Sequence, residues 1–408
     1  MKVFFRRIHL YLGLAAGLVI TVSCLTGALL VFEKELTEAF NRDRYFVQQM
    51  GRRLTLDEIA ANVKQQVPGA NITRIQVFSD PSRTMAVGLE EGKKGGKKKE
   101  DHEGESKDRK EKNAAGAKPS PRKEKGRTAF VNPYTGKVIA LFSYQETFYY
   151  KIFSLHRRLL AGSTGKVIVG ISTFIFLFIL ITGIVLWWPK TRNIFKQRIK
   201  VKWDGGWKRL NHDMHIVLGF YASIFLFVSA FTGLTWSFEW FSKGMYAALR
   251  TSPKATEAPA SAAEAAPGTA AISYEGALAL VKQQAPDAIY YSLSAPKDST
   301  ASFMVTLLPA GITHEGATTS YYLDQFTGKV LLSQTFAQKN LGQQIRSTIK
   351  PLHTGAIFGT PSKIFALVLA LLGATFPVTG TILWINRTRK KTKSARNRQS
   401  LSPAVATA

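Results

Sequence analysis

Apolar side chains are concentrated in four runs along this chain, at residues 10–31, 167–188, 216–238 and 364–385. Each run has the roughly 20 residues that an α-helix needs to cross a hydrocarbon core about 30 Å thick, and each is almost free of charge. A helix in the core of a soluble protein is usually shorter and carries polar residues along one face. The pattern therefore predicts an integral membrane α-helical protein with four transmembrane helices.

The long segments at 33–165 and 239–362 have a different pattern. In each, a helical pattern leads into short alternating strands, and Thr-Gly-Lys-Val at 135–138 and 327–330 is typical of a hairpin turn that enters another strand. The pattern predicts one small α+β domain in each segment.

The distances in sequence between histidines and Thr-Gly pairs are the same in the two halves of the chain. His9 and His215 are each followed 18 residues later by the glycine of a Thr-Gly pair, Gly27 and Gly233. His156 and His353 are each followed 26 residues later by the threonine of another pair, which ends in Gly183 or Gly380. The stretches Val-Lys-Gln-Gln at 63–66 and 281–284 also match. We predict a duplicated unit of two transmembrane helices with an α+β domain between them.

The formal net charge of +28 is large, but its placement does not favour a nucleic-acid partner. Lys and Arg crowd the chain before the first run, the short connection between the second and third runs, and the segment after the fourth. Short basic loops stay in the cytoplasm. We therefore expect the lipid bilayer as a partner, a multi-pass membrane protein with both termini in the cytoplasm, and α+β domains that face the periplasm or exterior.

The expected organisation follows from these patterns. Residues 92–127 are rich in Lys, Glu and Gly with almost no large apolar side chain, which predicts a disordered insertion. The predicted parts are transmembrane helix 1 (1–32), the first α+β domain (33–150), a lead-in with helix 2 (151–188), a cytoplasmic loop (189–213), helix 3 (214–238), a linker with the second α+β domain (239–345), a lead-in with helix 4 (346–385) and a basic cytoplasmic tail (386–408).

Four histidines fall at the predicted membrane edges. His9 and His215 lie at the cytoplasmic ends of helices 1 and 3, and His156 and His353 lie before helices 2 and 4 on the other side. Ionisable residues beside transmembrane helices usually face the bundle interior and are functional candidates. Because imidazole is a common axial ligand of haem iron, we predict two haem b groups, one between each pair. His212 is an alternative to His215. The single cysteine, Cys24, excludes a C-x-x-C-H attachment site.

The Thr-Gly pairs have two interpretations. Gly27, Gly183, Gly233 and Gly380 fall at the depths of the histidines, where they offer a haem a surface without side chains. Small residues also serve plain helix packing in membranes. Together with the histidines, the glycines favour haem packing.

Several of these motifs resemble the PepSY-associated transmembrane helix family, which includes bacterial ferrisiderophore reductases of the inner membrane. The resemblance rests on His9-x-x-x-Gly13, Leu155-His156, Asp213-Met-His215-x-x-x-Gly219, Leu352-His353-Thr-Gly355 and the Thr-Gly pairs. It implies two periplasmic PepSY modules, b-type haems with paired histidine ligands, and electron flow to ferric siderophores in the periplasm. The Lys-rich insertion departs from what the family leads us to expect.

The resulting hypothesis is a di-haem electron-transfer protein that reduces a ferric siderophore or another periplasmic acceptor. Since only a short basic tail follows residue 385, the electron donor is expected to be a separate cytoplasmic reductase or a membrane quinol. Two alternatives remain. PepSY modules resemble peptidase propeptides, so a membrane-anchored regulator of a periplasmic peptidase is one. The other is a siderophore or metal permease. The absence of Asp and Glu from all four apolar runs weakens this alternative, because a metal permease often has acidic partners for its histidines near the middle of the membrane.

Overall fold

The computed structural model describes residues 1–91, 126–253, 257–261, 270–312 and 314–400, with side chains described as far as residue 389. The predicted disordered insertion therefore lies outside the described residues except for its last two positions. The prediction was wrong at Arg127, which is the first residue of a strand and pairs with Leu89 of the neighbouring strand. Of the predicted linker, residues 254–256 and 262–269 also lie outside, as do residues 401–408 of the tail.

The described chain contains long transmembrane helices and shorter connecting ones. The helices are α1 (Lys2–Leu30), α2 (Glu33–Phe40), α3 (Arg42–Tyr45), α4 (Leu56–Gln66), α5 (Phe148–Arg158), α6 (Gly162–Trp187), α7 (Arg192–Arg198), α8 (Trp207–Asp213), α9 (Gly219–Ser237), α10 (Glu239–Ala248), α11 (Tyr274–Gln284), α12 (Leu341–Thr354) and α13 (Thr360–Ser400), with a π-helical turn (Met214–Leu218) between α8 and α9 and 3₁₀ turns at Tyr144–Glu146, Phe336–Gln338 and Ala356–Phe358.

Among the described residues, four helical segments are long and apolar enough to span a membrane, as the sequence predicts: Lys2–Leu30, Gly162–Trp187, Trp207–Ser237 and Thr360–Arg389. The third begins seven residues before its predicted start at 214, because α8 continues through the π-helical turn into α9. Gly206 stands at the N-terminal cap of α8 and allows the chain to enter the helix there. Part of the predicted tail is also helical, since α13 continues to Ser400.

The four spanning helices form a bundle. Helix α1 packs against α6 and α13, and α9 packs against the same two helices, so α1 and α9 are diagonally opposite. Small side chains allow close approach: Ala16 and Ala222 are buried, and Gly17 lies against Pro377 of α13. Large apolar side chains such as Leu18 and Ile171 are exposed, as a lipid-facing surface requires.

In the part of the chain that the structure describes, each half also contributes four strands. The strands are β1 (Ala70–Phe78), β2 (Met85–Glu91), β3 (Arg127–Val131), β4 (Val138–Phe142), β5 (Ala288–Ser294), β6 (Phe303–Pro309), β7 (Thr319–Leu323) and β8 (Val330–Gln334). In each half a single helix, α4 or α11, precedes an antiparallel meander. The turns into β4 and β8 contain Gly136 and Gly328 at positive φ, in agreement with the predicted hairpins.

The two meanders form one sheet. Strand β1 pairs with β5 in antiparallel fashion, from Ile75 opposite Leu293 to Phe78 opposite Tyr290, and the order is β4-β3-β2-β1-β5-β6-β7-β8. Alternate residues such as Ile75 and Leu293 are buried under α4 and α11. The pairing covers two strand edges that would otherwise expose unpaired backbone groups.

Helices α4 and α11 cap each other across this junction. The carboxylate of Asp57 accepts hydrogen bonds from the backbone N–H groups of Tyr274 (3.0 Å) and Glu275 (3.1 Å). In return, the carboxylate of Glu275 accepts a hydrogen bond from the N–H of Leu56 at 2.9 Å. Carboxylates at helix N-termini satisfy free N–H groups and complement the helix dipole. The two halves are therefore held together by polar contacts as well as by the strand pairing.

We expect the Asp57→Ala substitution to lower the free energy of unfolding by about 1–2 kcal/mol, because the N–H groups of Tyr274 and Glu275 at the start of α11 lose their acceptor. Denaturant unfolding of the purified full chain in detergent, followed by circular dichroism, measures the change. Glu90→Ala is the matched control, because it removes an exposed carboxylate from strand β2, in the sheet that α4 covers. Equal unfolding midpoints for the two variants would show that the reciprocal caps do not stabilise the fold.

Candidate functional site

The structure brings the four predicted histidines together as two pairs. The rings of His9 on α1 and His215 in the π-helical turn have centroids 6.3 Å apart, and their planes cross at 90°. The rings of His156 on α5 and His353 on α12 have centroids 6.2 Å apart with planes at 67°. The first is called the inner pair and the second, which is nearer the sheet, the outer pair.

In the inner pair, each ring is held by a threonine on a neighbouring helix. The Nδ1 of His9 lies 3.0 Å from the hydroxyl oxygen of Thr182, and the Nδ1 of His215 lies 2.9 Å from that of Thr379. Each hydroxyl donates to a carbonyl of its own helix: Thr182 to Phe178 at 2.8 Å and Thr379 to Thr375 at 3.0 Å. The hydroxyl proton is thus already used, so the oxygen accepts from the Nδ1–H of the histidine.

The outer pair repeats this arrangement, and a backbone carbonyl lies close to each ring as well. The Nδ1 of His353 lies 2.9 Å from the carbonyl oxygen of Ser229 and 3.0 Å from the hydroxyl of Thr232. The Nδ1 of His156 lies 2.9 Å from the carbonyl of Ser23 and 3.3 Å from the hydroxyl of Thr26. Since a carbonyl only accepts, Nδ1 carries the proton in both rings.

The glycine of each Thr-Gly pair makes room for the same ring. A Cβ atom built on Gly27 would lie 3.2 Å from the Cε1 of His156, and one on Gly380 would lie 2.9 Å from that of His215. At Gly183 and Gly233 the corresponding distance, to the rings of His9 and His353, is 3.4 Å. The neighbours of these glycines are histidine rings, and the packing of haem on them remains a prediction.

Burial keeps the outer pair neutral. The pKa of His156 is lowered mainly because burial disfavours the charged ring, and the pKa of His353 is lowered to about 4 by burial and by the neighbouring His156. With Nδ1 protonated and the ring neutral, Nε2 keeps a free lone pair. Among the described residues no hydrogen bond to the Nε2 of any of the four histidines is found.

The ring separation in both pairs matches that of two imidazoles that bind one metal ion between them. If two imidazoles bind one ion from opposite sides, each through a nitrogen about 2 Å away, their ring centroids lie about 6 Å apart. The observed 6.3 Å and 6.2 Å agree with this separation. A haem iron takes two axial ligands in this way. Within the described part of the chain, no group of three or more His, Cys, Asp or Glu side chains is arranged to hold a metal ion.

His212, the alternative to His215, points elsewhere. Its Nδ1 donates to the carboxylate of Asp213 at 3.0 Å, and nearly half of its side chain is exposed. Asp213 itself is buried and also accepts from Arg209 at 2.8 Å. The side-chain amide of Asn211 donates to the carbonyl of Thr379 at 3.2 Å. Sequence patterns do not reveal that Asp213 and Asn211 fix the start of the π-helical turn that positions His215.

The outer pair opens into a large cavity between the bundle and the sheet, with a volume of about 2310 Å³. Its walls include His156, His353 and the aromatic side chains of Phe78 and Tyr290 on β1 and β5. The inner pair does not line it. A molecule in the cavity therefore has access to the outer pair.

These features define a multi-pass membrane protein that combines four spanning helices with a sheet-forming domain outside the membrane. The chain belongs to the PepSY-associated TM region family, whose model matches residues 6–387. No curated protein sequence matched the chain.

We expect the Gly380→Ala substitution to destabilise the protein by about 1–3 kcal/mol, because the added methyl group overpacks the contact with His215. Gly13→Ala is the matched control, since a Cβ atom there would meet nothing within 4 Å. Thermal unfolding of both variants in detergent measures the difference. If Gly380→Ala is as stable as Gly13→Ala, the close approach of ring and helix is not a constraint.

Proposed function

We propose that this protein binds two b-type haems, one at the inner pair and one at the outer pair, and transfers electrons across the membrane. The observation that carries the proposal is the spacing of the two ring pairs, each suited to one metal ion. The equivalent contacts of the four Thr-Gly pairs add support for an internal duplication.

The residues of the chain have separable roles. His9, His215, His156 and His353 would hold the iron through Nε2, and bound haem would supply one-electron chemistry at both levels of the bundle. The threonine hydroxyls fix the tautomer and the ring orientation, as partners of ligating histidines commonly do. The glycines allow each ring to approach the neighbouring helix closely enough to make that hydrogen bond.

The orientation we propose places the sheet in the periplasm and the inner pair near the cytoplasm. The side chain of Lys2 donates to the carbonyl of Trp188 at 3.0 Å, so the start of α1 and the end of α6 lie on the same side. The basic connection that contains α7 follows directly. Short loops rich in Lys and Arg favour the cytoplasm, which supports a location in the bacterial inner membrane.

The acceptor we propose is a ferric siderophore or another ferric complex in the periplasm, and the donor is a separate cytoplasmic reductase or a quinol. The cavity beside the outer pair supports this assignment, because it is large enough for a chelate and reaches the histidines at the sheet side. The protein would then act in iron acquisition as a ferric reductase.

We expect the His353→Ala and His9→Ala variants each to lose one of two haems, while His212→Ala keeps both. The physical reason is that removing one axial nitrogen leaves the iron with a single protein ligand. A pyridine haemochrome assay per chain, with reduced-minus-oxidised spectra of each variant, measures the loss.

Loss of haem in His212→Ala rather than in a His215→Ala variant would contradict the assignment of the inner pair. Absence of haem from the unsubstituted protein, expressed where other b-type cytochromes are loaded, would exclude electron transfer. The regulator of a periplasmic peptidase and the permease would then be the functions to test, by protease inhibition and by uptake into vesicles without a reductant.

We expect Thr379→Val to weaken haem binding about 10–100-fold, since it removes the hydroxyl acceptor of the His215 ring while keeping the side-chain shape. Thr232→Val should have a smaller effect, because the carbonyl of Ser229 still accepts from the Nδ1 of His353. Thr21→Val is the control, because the hydroxyl of Thr21 bonds to the carbonyl of Ala374 and not to a histidine. Haem transfer to apomyoglobin measures retention. Equal rates for all three variants would show that the threonines have no role in holding the rings.

A further inference from the structure

Three ion pairs lie among the charged side chains that line the cavity. Lys34 bonds to Glu315 and Lys363 bonds to Glu35, each at 2.5 Å, and these ion pairs join α2 to the second half of the chain. Arg83 similarly pairs with Glu38 at 2.7 Å. These contacts neutralise three cations and three carboxylates of the wall.

Arg157 has no such partner. It follows the ligating His156 directly in α5 and makes one hydrogen bond, from Nη2 to the carbonyl of Trp236 at 3.3 Å. The described residues give its guanidinium no carboxylate, although its flat face lies over the ring of Phe153.

Arg346 of α12 contacts the same tryptophan as Arg157. The guanidinium carbon of Arg346 is 5.7 Å from the centre of the Trp236 ring, and that ring lies 5.2 Å from the ring of His353. No salt bridge to Arg346 is formed by the described residues, and it lines the cavity together with Arg157. Trp236 therefore connects both arginines to the outer pair, one through its carbonyl and one through its ring.

We infer that Arg157 and Arg346 form an anion-binding site in the cavity beside the outer pair, and that its ligand is a carboxylate group. The inference rests on the proposed function, because the site lies beside the outer pair, where we propose that a haem binds. A partly buried cation without a partner is costly, and a planar guanidinium matches a carboxylate through two parallel hydrogen bonds.

Two sources could supply the carboxylate. One is a propionate of a haem bound at the outer pair, and the other is an acidic group of the electron acceptor in the cavity. Both would face the same two guanidinium groups. A matched set of variants distinguishes them: Arg157→Gln, Arg346→Gln and, as control, Arg158→Gln, which removes the same charge from an exposed neighbour outside the cavity wall.

Three measurements are made on each purified full-length variant: haem per chain, the rate at which ferric citrate reoxidises the dithionite-reduced protein, and the same rate with hexaammineruthenium(III). Ferric citrate is rich in carboxylates, whereas the ruthenium complex is a cation. If the carboxylate belongs to haem, both cavity variants lose about half of their haem and Arg158→Gln does not. If it belongs to the acceptor, haem stays constant and the citrate rate falls about tenfold while the ruthenium rate does not.

The proposal is overturned if both cavity variants match Arg158→Gln in haem content and in both rates. Arg157→Lys and Arg346→Lys keep the charge without the planar fork, and they replace any Gln variant that does not fold. An unsubstituted protein without haem would contradict the proposed function alone. In that case, calorimetric titration with citrate tests the anion-binding site. Citrate binding about tenfold weaker in the cavity variants than in the unsubstituted protein supports the site. Equal binding in all of the proteins, or no binding to the unsubstituted protein, overturns it.

Discussion

The hydrogen bond between a partly buried histidine and a threonine of the adjacent helix is the interaction on which the arrangement of both histidine pairs depends. An imidazole N–H without an acceptor in an apolar bundle would cost about 1–3 kcal/mol, so each ring needs a partner at the same depth. The threonine hydroxyl satisfies this need because its own proton is bonded to the carbonyl one turn earlier. The glycine that follows lets the ring come close, and the same contact sets which nitrogen remains free.

The two histidine pairs are positioned by different parts of the fold. The inner pair comes from two diagonally opposite spanning helices, and the π-helical turn that carries His215 is tied down by the buried Asp213 and by Asn211. The outer pair comes from α5 and α12, the helices that lead from the sheet into the bundle. Because β1 and β5 join the two meanders into one sheet, the positions of α5 and α12 are linked on the sheet side too. The cavity between sheet and bundle follows from this arrangement.

Much of this could be predicted from sequence. Apolar runs of spanning length identify the four membrane helices, since few other structures require them, and repeated spacings place His9 with His215 and His156 with His353. The sequence does not reveal the helical start at Trp207 or the role of the threonines, because both depend on contacts between distant segments. Pairing of β1 with β5 is hidden for the same reason: an edge strand has the same alternating pattern whether or not another strand covers it. Arg346 gave no signal either, since its neighbours Trp236 and Arg157 are far away in the chain.

Low-temperature electron paramagnetic resonance of the oxidised, unsubstituted protein, integrated against chain concentration, tests most directly whether each histidine pair binds a haem iron. In both pairs the ring planes are strongly crossed, at 90° and 67°. Crossed rings leave two iron d orbitals nearly equal in energy, which gives a strongly anisotropic low-spin signal. Two such signals, together equal to two haems per chain, are the predicted result. A high-spin ferric signal from the purified protein, or no haem signal at all, would contradict ligation by paired histidines.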